Sequence, residues 1–142
     1  MKIVILDGRA LNPGDLSYEP LRQFGELTVY DRTDTVEEAI ARIGDNDIVL
    51  VNKLPVTEQL LSACPGIRLI CVQATGYNTV DCAACARRGI PVTNVPTYGT
   101  AAVAQFTFAL MLELCHQVGH HDALVRAGRW KTCGAFCFWD TP

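Results

Sequence analysis

Five short apolar runs recur along the chain at intervals of about 20 to 25 residues, and after each lies room for a helix. Connections of that length cannot be hairpins. They return the chain to the same end of the sheet, which forces parallel pairing with helices packed on its two faces. The runs are Lys2 to Leu6, Leu27 to Tyr30, Ile48 to Val51, the stretch from Arg68 to Val72, and Pro91 to Val95. They specify an α/β fold, a doubly wound parallel five-stranded sheet for which the flavodoxin-like order 2-1-3-4-5 is expected.

Local signals place the helices between these strands. A polar loop with Asn12, Pro13 and Gly14 follows the first strand, and Ser17 is placed to cap a helix from Tyr18 to Phe24 that stops at Gly25. Val36, Ala39, Ile40 and Ile43 repeat at helical spacing after Thr33 to Thr35 and end at Gly44. The loop Asn52 to Pro55 precedes a cap at Thr57 and a helix carrying Leu60 and Leu61. A further helix runs from Val80 to Arg88 and stops at Gly89.

From Thr100 to Ala127 the pattern predicts one long helix of about 40 Å at 1.5 Å per residue. Its first half is apolar almost all round, so it requires cover from a second domain or a second subunit. The aromatic tail from Trp130 to Pro142, with Phe136, Phe138 and Trp139, repeats that demand. The chain is therefore expected to be the front part of something longer.

Composition excludes several classes. Nearly half the residues are hydrophobic (49%) and only 19% are charged, which suits a globular domain. The net charge of −3 and the absence of a Lys/Arg cluster argue against a nucleic-acid partner. The run from Ala101 to Val118 is interrupted by Gln105, Thr107 and Glu113, so no membrane span is expected. The opening MKIVILDG lacks a charged leader and cleavage site, which predicts a cytoplasmic location. The seven cysteines, an odd number without loop-rich spacing, read as reduced and mostly buried thiols.

In an open parallel sheet, ligands sit beyond the carboxyl ends of the strands, where helix N-termini and free N–H groups gather. The turn at Gly76 and the loop at Tyr98 both lie there. Gly76 could equally end a strand, Lys53 could be a solvated charge, and Tyr98 could simply cover the entry to the long helix. Cys82 and Cys85 form a CxxC at a helix start, where redox exchange competes with ordinary packing. Cys115, His116 and His120, with Cys133 and Cys137, match no common zinc spacing, so no metal site is expected.

Several segments together carry a family resemblance: VQATGYNTVD from Val72, RRGIPVTNVPTYGT from Arg87, VAQFTFALMLEL from Val103, and GRW and FCFWDTP near the end. The chain resembles the N-terminal part of the D-isomer-specific 2-hydroxyacid dehydrogenases, most of all their glycerate dehydrogenase and hydroxypyruvate reductase branch. The resemblance implies a substrate-binding domain of flavodoxin type over residues 1–99. It also implies that residues 100–142 are a linker helix and loop leading into a Rossmann domain for NAD or NADP, which this chain lacks.

The same resemblance implies that the backbone N–H groups of Thr75, Gly76 and Tyr77 hold the carboxylate of a small 2-hydroxy or 2-oxo acid. A glycine suits that place because its backbone can be approached closely and can take positive φ. By the same likeness Lys53 and Leu54 reach over the substrate, Tyr98 lines its cleft, Val103 packs on the nicotinamide, and the helix 100–127 pairs subunits into a homodimer. Thr97, Gly99 and Ala101 depart from the branch. The family's catalytic Arg, Glu and His have no counterpart here, because His116, His120 and His121 lie mid-helix. No two glycines are separated by a single residue, so the dinucleotide fingerprint is missing. By itself the chain is expected to be inactive. A standalone carboxylate-binding or partner-binding module is the alternative.

Overall fold

In the computed structural model, which describes residues 1–137, the apolar runs form β1 (Lys2–Ile5), β2 (Glu26–Val29), β3 (Ile48–Val51), β4 (Leu69–Val72) and β5 (Val92–Thr93). All pairings are parallel and the order is β2-β1-β3-β4-β5, as the crossover lengths require. The register sets Ile3 beside both Leu27 and Ile48, and Val49 beside Ile70.

Alternation along the strands separates two apolar layers. Val4, Leu6, Val49, Val51, Ile70 and Val72 face one side and meet α3 (Val36–Ile43), α4 (Glu58–Ala63) and α5 (Cys82–Arg87). Those helices contribute Ala39, Ile43, Leu60, Leu61, Ala84 and Cys85 to the same core. Ile3, Ile5, Leu27 and Leu50 face the other side, where Tyr18 and Leu21 pack on them. Withdrawing each large side chain of the main core from water contributes about 1.5–3 kcal/mol.

The helices begin and end for local reasons. The Thr35 and Thr57 side chains accept from the Glu38 and Leu60 N–H groups, and the Asp81 carboxylate accepts from the Ala84 N–H. Gly44 and Gly89 stop their helices at φ of 48° and 68°, a region glycine enters freely. Helices α4 and α5 are joined by ion pairs from Glu58 to Arg87 at 3.0 Å and to Arg88, which also donates to the Ser62 hydroxyl at 2.9 Å.

Four expectations change. A one-turn helix, α1 (Gly8–Leu11), occupies the start of the expected polar loop. The next helix, α2 (Glu19–Arg22), is a single turn with Tyr18 at its N-cap; Ser17 only accepts the Glu19 N–H at 3.2 Å. Gly25 is not the helix stop: a Cβ there would fall 2.1 Å from the Met1 carbonyl oxygen, so close strand approach demands the glycine. The long helix is broken into α6 (Thr100–His116) and α7 (Val118–Arg126), bent by 53°, because Gln117 takes the left-handed conformation at φ 48°. Its N–H still closes α6 on the Glu113 carbonyl, while the Glu113 side chain accepts from the Gly119 N–H at 3.1 Å.

Two compact units result, Met1–Tyr98 and Gly99–Pro142. In the second unit no residue of α6 is buried. Phe106, Phe108, Leu110, Met111, Leu112 and Leu114 are spread around the helix, so no single face is the apolar one. A final turn, α8 (Arg129–Thr132), follows α7. Phe136 is exposed, and the expectations for Phe138, Trp139 and Pro142 fall outside the described residues. Among the described residues no single helix is long and apolar enough to cross a membrane; α6 and α7 reach that length only as the bent pair. All seven cysteines are free, but only Cys64 and Cys85 are buried: Cys71, Cys82 and Cys133 are half-buried, and Cys115 and Cys137 lie on exposed surface of the second unit.

Candidate functional site

The carboxyl ends of β1, β3, β4 and β5 are laced together by polar contacts that begin at Asp7. This residue follows β1 and is 6% exposed. Its Oδ2 accepts the backbone N–H groups of Asn52 at 2.9 Å and Lys53 at 3.1 Å, with that of Leu54 at 3.5 Å. The loop after β3 is thereby wrapped around one carboxylate.

Asn52, 7% exposed, reaches across to β4 and donates its side-chain N–H to the Gln73 carbonyl at 3.1 Å. The Gln73 N–H in turn donates to the Val51 carbonyl at 2.8 Å, extending the ladder past the strand end. A bridge between Val56 and Val80 closes the two loops on each other. Beyond Gln73 the chain turns through Ala74 to Tyr77 and is tied to β5. The Val95 N–H donates to the Ala74 carbonyl at 3.0 Å, the Asn94 side chain to the Thr75 carbonyl at 2.8 Å, and the Thr75 hydroxyl to the Val95 carbonyl at 3.1 Å.

These ties leave Thr75, Gly76 and Tyr77 exposed, and among the described residues none of their backbone N–H groups has a protein acceptor. They are three successive donors, without a protein acceptor, at the carboxyl edge of a parallel sheet. Gly76 does not have positive φ, contrary to one reason for expecting glycine. A Cβ there would crowd the Asn78 Oδ1 at 3.2 Å, so the glycine leaves room for that side chain.

The other expected residues are distributed around this edge. Lys53 is exposed and makes no ion pair among the described residues. Leu54 is 4% exposed and its side chain belongs to the main core, so it supports the loop from beneath. Both border a hollow of about 340 Å³ at the carboxyl ends of β2, β1 and β3, shared with Asp7 and Arg32. Tyr98, 70% exposed, borders a different, mostly apolar cavity of about 350 Å³ with Leu11, Cys71 and Asn94. Tyr77 and Asn94 border a third of about 110 Å³. Val103 lies on α6 in the second unit and is 67% exposed.

Asp7, Asn52 and Asn94 escape sequence reasoning, since each acts on partners 19 to 47 positions away. The only early signal is a polar residue directly after an apolar strand. Part of the polar capacity at this edge is unused: among the described residues the Asn52 Oδ1 and the Oε1 of its neighbour Gln73 are buried without a partner. No strand turn in this sequence has the glycine spacing of the dinucleotide fingerprint. Among the described residues no three His, Cys, Asp or Glu side chains gather as metal ligands.

The profile of the D-isomer specific 2-hydroxyacid dehydrogenase catalytic domain matches residues 3–136. The chain belongs to the D-isomer specific 2-hydroxyacid dehydrogenase family. Within that family it is 54% identical to the hydroxypyruvate reductase of Blautia hydrogenotrophica, over 100% of this chain and 45% of the relative. It is 33% identical to the glycerate dehydrogenase of Methylorubrum extorquens, over 99% of this chain and 44% of the relative. The solved 2-hydroxyacid dehydrogenase of Ketogulonicigenium vulgare superposes with a TM-score of 0.73 at 29% identity, covering 99% of this chain and 44% of that one. The chain thus spans less than half the length of the 2-hydroxyacid dehydrogenases it matches.

Proposed function

We propose that this chain is the substrate-binding portion of an NAD- or NADP-dependent D-2-hydroxyacid dehydrogenase acting on a small acid such as hydroxypyruvate/glycerate or glyoxylate/glycolate. The observation that carries the reading is the row of free backbone N–H groups at Thr75, Gly76 and Tyr77, within a chain whose family is shown. In this reading those donors hold the substrate carboxylate, Lys53 adds a positive charge, Leu54 shapes the loop, and Tyr98 lines the cleft. Val103 faces the nicotinamide. The cofactor supplies hydride exchange with C2 of the acid; the residues of this chain bind and orient the acid.

With no dinucleotide fingerprint and no catalytic Arg, Glu or His in hand, the 142-residue chain is itself inactive. The reading includes a cytoplasmic protein and pairing of two copies through helices 100–127, whose exposed apolar residues on every side favour association. Sedimentation giving a monomer at tens of micromolar overturns the pairing.

Titrating the ¹⁵N-labelled chain with glycolate tests the binding site. The amides of Thr75, Gly76 and Tyr77 are expected to shift together, and Gly76→Ala to abolish the shifts while the protein stays folded. That substitution displaces only the flexible end of Asn78. Shifts elsewhere but not at these amides overturn the reading. Hydroxypyruvate-dependent NADH oxidation by the native polypeptide from its cells tests the reaction; binding without turnover there would favour the standalone carboxylate-binding module.

A further inference from the structure

Asp7 stands where the loop after β3 and the turn after β4 are set relative to each other. Its Oδ2 takes all of its side-chain hydrogen bonds, from Asn52 and Lys53 with Leu54 at the limit of reach. Among the described residues it draws on no cationic side chain, although Lys53 and Arg32 border the same hollow and Arg32 pairs with Asp34 at 2.5 Å. A buried carboxylate that accepts only backbone N–H groups fixes backbone position. Asn52, held at its N–H by Asp7, carries that fix to the Gln73 carbonyl, two residues before Thr75.

We propose that Asp7 is a positioning residue for acid binding: through Asn52 it holds the Lys53 loop in register with the Thr75–Tyr77 donors, although its own negative charge opposes an anion. The proposal rests on the carboxylate site proposed above. It differs from a purely electrostatic role in sign. Were charge the whole effect, removing it by any substitution would tighten anion binding. Under the positioning role, losing the acceptor loosens both loops and weakens binding, since donors must be preorganised to act together.

The two are separated by titrating the ¹⁵N-labelled 142-residue chain with glycolate, following the Thr75, Gly76 and Tyr77 amides. Asp7→Ala, which loses both acceptor and charge, is expected to weaken binding about tenfold, the scale of one charge-assisted hydrogen bond. Asp7→Asn keeps an oxygen acceptor and loses the charge; it is expected to restore binding to the wild-type level or better. Asp7→Ala binding as tightly as wild type, or more tightly, overturns the proposal and leaves the carboxylate site standing. A wild-type chain whose amides do not respond to glycolate overturns both. If Asp7→Ala does not fold, Asn52→Ala decides: weakened binding supports the relay to Gln73, and unchanged binding overturns it.

Discussion

Asn94 and Thr75 clasp each other across the ends of β5 and β4: the Asn94 side chain donates to the Thr75 carbonyl at 2.8 Å, and the Thr75 hydroxyl donates to the Val95 carbonyl next door at 3.1 Å. Thr75 is exposed and Asn94 half-buried, and both bonds lie at the surface, so water can replace either one. Asn94→Ala should therefore lower stability in urea by less than about 1 kcal/mol. It should still weaken glycolate binding several-fold by freeing the Thr75 turn. Equal affinity in the variant would show that the clasp does not serve the site.

Gly25 and Gly66 should respond to alanine in opposite ways. At Gly25 the new Cβ would lie 2.1 Å from the Met1 carbonyl oxygen, where β1 and β2 begin, and backbone cannot step aside cheaply. A loss of about 2–3 kcal/mol is expected by chemical denaturation. At Gly66 nothing lies within 4 Å, so Gly66→Ala should be neutral or stabilise by a few tenths of a kcal/mol.

The Glu58 cluster should give the protein a specific acid sensitivity. The hydrogen bond from Arg88, reinforced by Arg87, lowers the Glu58 pKa from 4.5 to about 2 in the folded chain. The stabilisation is therefore complete above pH 4.5 and is lost as pH falls toward 2. Glu58→Gln should be less stable than wild type at neutral pH, with the gap between their urea midpoints closing across that window. Since Glu58 is half exposed, the gap is small. A gap independent of pH would rule out this pair as its source.

Thiol chemistry should divide the cysteines by burial. Desolvation raises the pKa of Cys85, with the neighbouring Cys82 and Asp81 acting in the same direction, and burial alone raises that of Cys64. Both should react with a disulfide reagent at pH 8 only on unfolding, whereas exposed Cys115 reacts in the native protein. Native-state labelling of Cys85 as fast as that of Cys115 would revive a redox role for the Cys82–Cys85 pair.

What was legible in the sequence is what is encoded within about one helical turn or one strand pleat. The repeat of strand and helix dictated parallel pairing. The caps at Thr35 and Thr57 bond to N–H groups three positions on, so their signals sit side by side in the chain. The segments around Gly76 and Tyr98 carried the family. Tertiary structure decided the rest, because the partners are remote. In the sequence Gly25 has the form of a helix stop, whereas in the sheet Met1 lies against it, and Gln117, neither Gly nor Asn, carries no local signal of a left-handed break. In the sequence Asp7 is only a polar residue after an apolar run, yet its bonds run to residues 45 to 47 positions away. A hydrogen bond spanning that separation exists only after β1 and β3 have paired, so its place at the site is a property of the folded sheet and of no local stretch of sequence.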